Sequence, residues 1–176
     1  MVTSIKGNDT STFGGAITAN NVGAGNVLQV VSTTKTDTFS TTSTSPADIT
    51  GLTVSITPTS SSSKILVIVS ISLGNNGSTG SILRLLRDST LINSGDVASN
   101  RLLGYAYIGA DSQYNIHTYS SNYLDSPATT STITYKTQTH TTSGNPVYVN
   151  RTSADRDTTT YDGRGASTIT VMEVAA

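Results

Sequence analysis

Short runs of β-forming residues alternate with Ser- and Thr-rich turns along most of the chain. Val, Ile and Thr dominate these runs, because their branched Cβ atoms pack well on a half-buried pleated surface. The predicted strands are Val27–Ser32, Asp37–Thr42, Asp48–Thr57, Lys64–Leu73, Ser81–Asp88, Arg101–Ile108, Gln113–Tyr123, Thr132–Thr141, Val147–Asn150 and Ser167–Val174. Ten short strands at this spacing predict an all-β fold, an antiparallel, jelly-roll-like β-sandwich, and leave the strand order open.

The strand that begins near Ile65 is apolar on both faces in its first half and alternates afterwards. Such a strand is typical of a central position that is covered on both sides. We therefore expect one face of it to meet the core and the other face to meet a partner. In the strand that begins at Thr132, the alternation turns Ile133 and Tyr135 inward.

The segment Ser81–Asp88 is ambiguous, because its four apolar residues fit a helical stripe as well as a strand. A strand is favoured, since Thr90–Ile92 follows at once and can pair with it as a hairpin.

Residues 1–25 hold isolated apolar positions among Gly, Asn, Thr and Ser, with no sustained period. Such a segment cannot bury enough apolar area to order itself. We predict an extended N-terminal arm over residues 1–25, followed by a β-sandwich domain over residues 26–176. The arm is either a floppy terminus or a segment ordered on a neighbouring subunit, with Phe13, Ile17 and Val22 as its attachment residues.

The composition provides little equipment for catalysis. Only 12% of the 176 residues are charged and the formal net charge is −1, so no long-range field gathers nucleic acid or anionic lipid. We expect neither nucleic acid nor a membrane as a partner, and no run approaches the roughly twenty apolar residues of a membrane helix. The chain has no cysteine, which excludes disulfides, thiolate nucleophiles and thiolate metal sites.

The two histidines, His117 and His140, are too isolated in sequence to indicate a metal site or a nucleophilic triad. We expect both to be surface residues of strands. The sequence predicts no catalytic residue, no resident metal and no cofactor.

One polar loop near the C-terminus contains Asp155, Asp157 and Asp162. A calcium ion could use several of these carboxylates. Arginines are interspersed with them, which makes internal ion pairing the simpler interpretation and leaves calcium binding an open question.

Tyrosine is the preferred aromatic residue, with 8 Tyr against 2 Phe and no Trp. Five of these tyrosines crowd into one region: Tyr105, Tyr107, Tyr114, Tyr119 and Tyr123. We expect the first two to share one strand face and the last two another, which gives two patches. Tyrosine suits subunit interfaces and sugar stacking, so one interpretation is an interface or receptor surface. The simpler one is that these are half-buried sheet residues.

Several segments resemble bacteriophage virion proteins of marine and cyanobacterial phages, whose members are usually tail-fibre or structural proteins. The segments are Val27–Ser45, Asp48–Pro58, Ser61–Ile65, Leu85–Thr90, Tyr123–Thr130, Thr134–Lys136, Val147–Arg151 and Ser167–Glu173. The similarity covers roughly residue 26 to the C-terminus in order, which is more specific than a single motif.

The resemblance implies a non-enzymatic virion structural protein, a trimeric β-sandwich on the particle exterior that attaches to other virion proteins of the capsid or tail through its N-terminal part. An arm of about 25 residues is too short for a long fibre shaft, which favours a capsid decoration (cement) protein or a short tail-fibre-type module. The alternatives are a fibre tip that recognises host cell-surface glycan, or a carbohydrate-binding module. A glycan-cleaving enzyme would need paired acids or a Ser/His/acid set at meaningful spacing, which the sequence does not show.

Overall fold

A computed structural model describes residues 23–77 and 80–176. In these two ranges the chain forms eleven strands and no helix. The strands are β1 (Val27–Lys35), β2 (Phe39–Thr41), β3 (Ala47–Ile56), β4 (Lys64–Asn75), β5 (Ser81–Arg87), β6 (Thr90–Ile92), β7 (Ala106–Ile108), β8 (His117–Asp125), β9 (Ile133–Thr141), β10 (Val147–Val149) and β11 (Ser167–Val174). They pair antiparallel into two sheets that pack against each other, which confirms the predicted all-β sandwich.

The strand order, which the sequence left open, centres each sheet on one strand. Sheet A has the order β1-β11-β4-β10-β2, and β8 pairs with the other edge of β4. Sheet B has the order β3-β9-β5-β6, and β7 also pairs with β5. Strand β4 is thus central in sheet A, as its apolar sequence predicts, with β11 and β10 along one edge and β8 along the other.

The core is built on the inward stripe of β4. Its five members are at most 1% exposed: Ile65, Val67, Val69, Ile71 and Leu73. They belong to one cluster with inward residues of sheet B, among them Leu52, Leu85 and Tyr135. Burial of an aliphatic side chain of this size stabilises a fold by about 1.5–3 kcal/mol, so this stripe is a large part of the driving force for folding.

A buried carboxylate links the two sheets. Asp125, on β8, is 4% exposed and accepts two hydrogen bonds of 2.9 Å from Nη1 of Arg87, on β5. It also accepts a bond of 2.7 Å from the hydroxyl of Tyr135, on β9. Burial, followed by the Asp125 carboxylate, raises the pKa of the Tyr135 hydroxyl, which therefore stays protonated as a donor.

A second buried carboxylate holds the β3–β4 connection against sheet A. Glu173, on β11, is fully buried and accepts hydrogen bonds from Gln29 Nε2 at 2.6 Å and from the backbone and hydroxyl of Thr59 at 2.7 and 2.8 Å. Burial alone would raise the pKa of this carboxyl, but the donors, Ser63 among them, outweigh it and hold the pKa below its usual range.

Asn150 fixes the start of the long polar loop after β10, residues 151–165, which we call the aspartate loop. It is fully buried and adopts a positive φ of 64°. Its amide nitrogen donates to the carbonyl oxygens of Lys35 and Asp37 at 2.9 Å each, and its side-chain oxygen accepts from Ser167 Oγ at 2.6 Å. The loop therefore leaves the sandwich from a rigid anchor.

Three predicted strands are clearly shorter than expected, and the one predicted over Asp37–Thr42 is reduced to β2, Phe39–Thr41. Of Arg101–Ile108, only the part in β7 is a strand, because the backbone before it belongs to a loop, in which the nitrogen of Arg101 donates to the carbonyl oxygen of Ala98 at 3.1 Å and that of Gly95 to the carbonyl oxygen of Gly104 at 3.3 Å. Strand β8 begins at His117 rather than at residue 113, since the carboxylate of Asp111 accepts from the backbone nitrogen of Ser112 at 2.7 Å and forms a local turn. The strand and hairpin predicted at residues 81–92 are confirmed as β5 and β6.

The arm residues Phe13, Ile17 and Val22 lie outside the described residues, so the predicted attachment role stays a prediction. The chain enters β1 beside the end of β11, where the backbone nitrogen of Gly25 donates to the carbonyl oxygen of Ala175 at 2.8 Å.

The carboxyl of Glu173 predicts a specific acid sensitivity. Because its folded pKa is depressed, its contribution to stability is present above the unfolded pKa of about 4.3 and is lost as the pH falls through the folded pKa. The free energy of unfolding of the wild type, from urea titrations between pH 6 and pH 3, should therefore fall more steeply with acid than that of Glu173→Gln. Asp96→Asn, at an exposed position, is the control and should reproduce the wild-type profile. Equal pH profiles for the wild type and Glu173→Gln would contradict the assignment.

Candidate functional site

The solvent side of sheet A, its outer face, carries an apolar band. Val30, Met172, Leu66 and Leu124 are direct cross-strand partners on β1, β11, β4 and β8, and Ile68 lies next to Leu66 along β4. Val30 is 55% exposed, Leu124 56% and Ile68 38%. These five residues, which we call the apolar band, run across four strands, or about 14 Å from the first strand to the last.

Beside the apolar band, much of this face is a ladder of hydroxyl groups. Ser32 and Thr170 are cross-strand partners whose oxygens lie 2.7 Å apart, and Ser120 donates to Ser70 at 3.4 Å. Of the side chains that the described parts of β1, β11, β4 and β8 present here, only that of Lys64 is charged, at the first position of β4.

Large contiguous apolar patches are rare on the surface of monomeric soluble proteins, and they commonly mark interaction sites. The apolar band shares features of protein interfaces, whose buried centres are more apolar than the rest of the surface and poor in charge, with a polar rim. The second apolar face predicted for the strand at Ile65 lies in this band. That a partner covers it stays a prediction.

Sheet B contrasts with sheet A, because the chain itself covers part of its outer face. Ile82 and Leu86, on β5, point away from the core, yet they are only 3% and 5% exposed. Gly104 lies against Ile82, where a Cβ atom would be 2.7 Å from Cγ1 of that residue. The segment before β7 therefore crosses this face.

This covering explains why the prediction of a surface position for His140 is wrong. His140 is the cross-strand partner of Ile82 and is 6% exposed, and its Nδ1 has no hydrogen-bond partner. Burial, followed by the charge of Arg84, lowers its pKa. His117 does lie on the surface, at the start of β8, where its ring pairs with Asp111.

Of the two tyrosine patches expected from the sequence, the pair Tyr119 and Tyr123 shares a strand face, whereas the pair Tyr105 and Tyr107 does not. Tyr105 packs against the core and its hydroxyl is buried, whereas Tyr107 is 60% exposed, so the two do not share a face. Tyr119 and Tyr123 do share one face of β8, but it is the inner one, where both pack against the core. Tyr119 and Tyr123 are thus half-buried sheet residues, as in the simpler interpretation, whereas Tyr105 lies in the bend just before β7.

Tyr114 instead pairs with a tyrosine that sequence reasoning did not select. Its ring centroid lies 5.2 Å from that of Tyr161, in the aspartate loop, and the two planes are tilted by 37°. The guanidinium of Arg156 lies over both rings, 4.8 Å from the centroid of Tyr114 and 5.5 Å from that of Tyr161. Tyr114 is 38% exposed and Tyr161 56%, so both rings remain accessible.

Two of the three carboxylates of the aspartate loop, those of Asp155 and Asp162, pair with its arginines, as the simpler interpretation predicts. Asp155 contacts Arg164 at 2.7 Å and Arg151 at 3.4 Å, and Asp162 contacts Nε of Arg156 at 3.4 Å. Within residues 23–77 and 80–176 no group of three or more His, Asp or Glu side chains is placed to hold a metal ion.

Two shallow cavities flank this loop. One of about 400 Å³ is lined by Asp155, Asp157 and Asp162, and the other of about 370 Å³ by Tyr114, Tyr161 and Asp162. Asp162 thus lines both. Its side chain is 8% exposed, its Oδ2 accepts from the backbone nitrogen of Arg156 at 2.9 Å, and its Oδ1 is buried without a partner.

No protein-family model and no curated protein matches this chain. The part of the chain that the structure describes contains no helix long and apolar enough to cross a bilayer. The fold itself defines the class of the protein as an antiparallel β-sandwich.

The burial of His140 generates a pH prediction. A buried histidine whose folded pKa is depressed contributes stability above its unfolded pKa of about 6.5, and this contribution is lost as the pH falls through the folded pKa. The free energy of unfolding of the wild type should decrease between pH 7.5 and pH 5.5, and His140→Gln should lack most of this decrease. His117→Gln, at the exposed histidine, is the matched control. A wild-type stability that is flat over this range would refute the prediction.

Proposed function

We propose that this chain is a non-enzymatic structural protein of a bacteriophage virion. It forms a homotrimeric β-sandwich on the particle exterior, as a capsid decoration (cement) protein or a short tail-fibre-type module. The observation that best supports self-association is the outer face of sheet A, which has an exposed apolar band and almost no charge. The resemblance of residues 26–176 to phage virion proteins indicates that the assembly is a virus particle.

The chemistry of the outer face favours a second copy of the chain as its partner. Hydroxyl groups both donate and accept hydrogen bonds, so two such faces can meet without repulsion between like charges. Around a three-fold axis, the apolar bands of three copies can converge and exclude water from one another. Leu124 and Val30, the most exposed members of the band, gain most from this contact.

The positions and ion pairs of the loop carboxylates support a non-enzymatic role. A glycosidase needs two carboxyl groups on opposite sides of a sugar-binding groove. Asp155, Asp157 and Asp162 lie instead in one loop, and the first and last are engaged by arginines.

A second candidate function is recognition of a host glycan by the same exterior protein. The accessible Tyr114–Tyr161 pair beside the carboxylate of Asp162 favours it. A free carbohydrate-binding module would share the sandwich and the glycan affinity, but would not attach to a particle.

The apolar band predicts an assembly defect for a charge at its most exposed position. In sedimentation velocity at micromolar concentration, the wild type should sediment as a species of three times 18.2 kDa, and Leu124→Lys should shift to the monomer because it brings three ammonium groups together. Tyr107→Lys, at an exposed position on the outer side of sheet B, is the control and should remain trimeric. A wild type that is monomeric at this concentration, or a trimeric Leu124→Lys, would count against the proposal.

The N-terminal arm predicts a separable attachment function. A chain that begins at Gly23 keeps the described sandwich and should fold and trimerise normally, yet it should no longer bind capsids stripped of the protein. The double variant Phe13→Ala, Ile17→Ala tests the anchors within the full chain and should weaken capsid binding by about tenfold or more. Co-sedimentation with purified capsids measures both. Undiminished binding of the shortened chain would exclude the arm as the attachment element.

A further inference from the structure

We infer that the cleft between the aspartate loop and the turn at residues 112–116 binds a neutral saccharide. We call it the tyrosine–aspartate cleft, and its central residues are Tyr114, Tyr161 and Asp162. The inference deepens the proposed function and rests on it only for the source of the sugar. A protein on the particle exterior would meet the glycans of the host surface.

The first part of the site is the accessible tyrosine pair. An aromatic ring offers an apolar face to the C–H groups of a sugar ring and a hydroxyl to its oxygens. The rings are held in place before any ligand arrives, since Arg156 lies over both and Gln113 Nε2 donates to the hydroxyl of Tyr114 at 2.8 Å. A pre-organised platform loses little entropy on binding.

The second part is the unpartnered oxygen of Asp162. Buried polar atoms are nearly always hydrogen-bonded, and a carboxylate oxygen is an especially strong acceptor. In Asp162 the other oxygen is occupied by Arg156, while Oδ1 is buried without a partner, and the residue lines both cavities. A sugar hydroxyl is a neutral donor of the right kind for this atom.

The third part is the charge balance, which separates a neutral sugar from an ion. The aspartate loop contains three arginines and three aspartates. Asp155 lies between two of these arginines, which leaves no excess positive charge for a phosphate and too few free carboxylates for calcium. The remaining residues that line the cavity beside Tyr114 are uncharged, and the side chains of Asn115, Thr152 and Thr160 among them can donate and accept hydrogen bonds.

The size and rigidity of the cleft are consistent with this ligand. Cavities of about 400 and 370 Å³ fall within the range of small-molecule sites, and each is large enough for one sugar ring. The base of the loop is closed by a bridge between Arg151 and Arg164 and by a bond of 3.3 Å from the nitrogen of Thr152 to the carbonyl oxygen of Gly163. These bonds hold the two ends of the aspartate loop together and so limit changes in the shape of the cleft.

The test is saturation-transfer-difference NMR on the full chain. The probes are methyl α-mannoside, lactose, cellobiose and chitobiose at millimolar concentration, with inorganic phosphate and Ca²⁺ titrated by calorimetry. We expect at least one sugar to receive saturation, and both Tyr161→Ala and Asp162→Asn to weaken its binding by about tenfold. Tyr107→Ala, which removes an exposed tyrosine elsewhere, should bind as the wild type does, and circular dichroism verifies that each variant is folded.

The inference is overturned if no sugar of the panel binds, if binding survives both cleft substitutions, or if only Ca²⁺ or phosphate binds in a manner that depends on Asp162. Because Tyr161 is exposed, Tyr161→Ala keeps the test valid should Asp162→Asn disturb the loop. Sedimentation of the same samples separates the two proposals. A trimer without sugar binding removes only the cleft, whereas sugar binding by a monomer removes only the assembly.

Discussion

The inward stripe of β4 is the constraint on which the rest of the structure depends. Its side chains, from Ile65 to Leu73, are at most 1% exposed, and the strand carries β11 and β10 on one edge and β8 on the other. Strand β8 in turn presents Asp125 to Arg87 and Tyr135 of sheet B. The position of each sheet relative to the other therefore follows from how β4 is buried.

The same strand shapes the surface, because the alternation that buries one face exposes the other. Leu66 and Ile68 place aliphatic groups on the outer face of sheet A, where the neighbouring strands add more. The segment near Gly104 covers apolar residues on the outer face of sheet B, whereas the described strands of sheet A retain a broad outer face on which Lys64 is the one charged side chain. The end of the sandwich beyond β10 carries the polar and aromatic groups, on a loop anchored by Asn150. The proposed assembly and the proposed recognition would thus use different parts of the molecule.

The alternation of apolar and polar residues predicted those features that depend on residues close together in the sequence. It gave the sandwich class, the central β4 and the inward positions of Ile133 and Tyr135, since alternation reports directly which face is buried. It could not predict contacts that the topology creates. The burial of His140 depends on where a distant loop crosses, and the pairing of Tyr114 with Tyr161 depends on two separate loops meeting at one end. The Ser and Thr residues of the hydroxyl ladder are visible in the sequence, but only the strand order shows that they lie side by side on one face of sheet A.

The most direct test of the central claim is the accessibility of the apolar band in solution. Because the chain has no cysteine, Leu124→Cys introduces a unique thiol in the band, and Tyr107→Cys introduces one on the outer side of sheet B. A covered band predicts that maleimide labelling of L124C slows by about tenfold or more when the protein is raised from nanomolar to micromolar concentration, while labelling of Y107C keeps the same rate. Equal, concentration-independent rates at both positions would contradict the account, since the outer face of sheet A would then be a surface of the monomer.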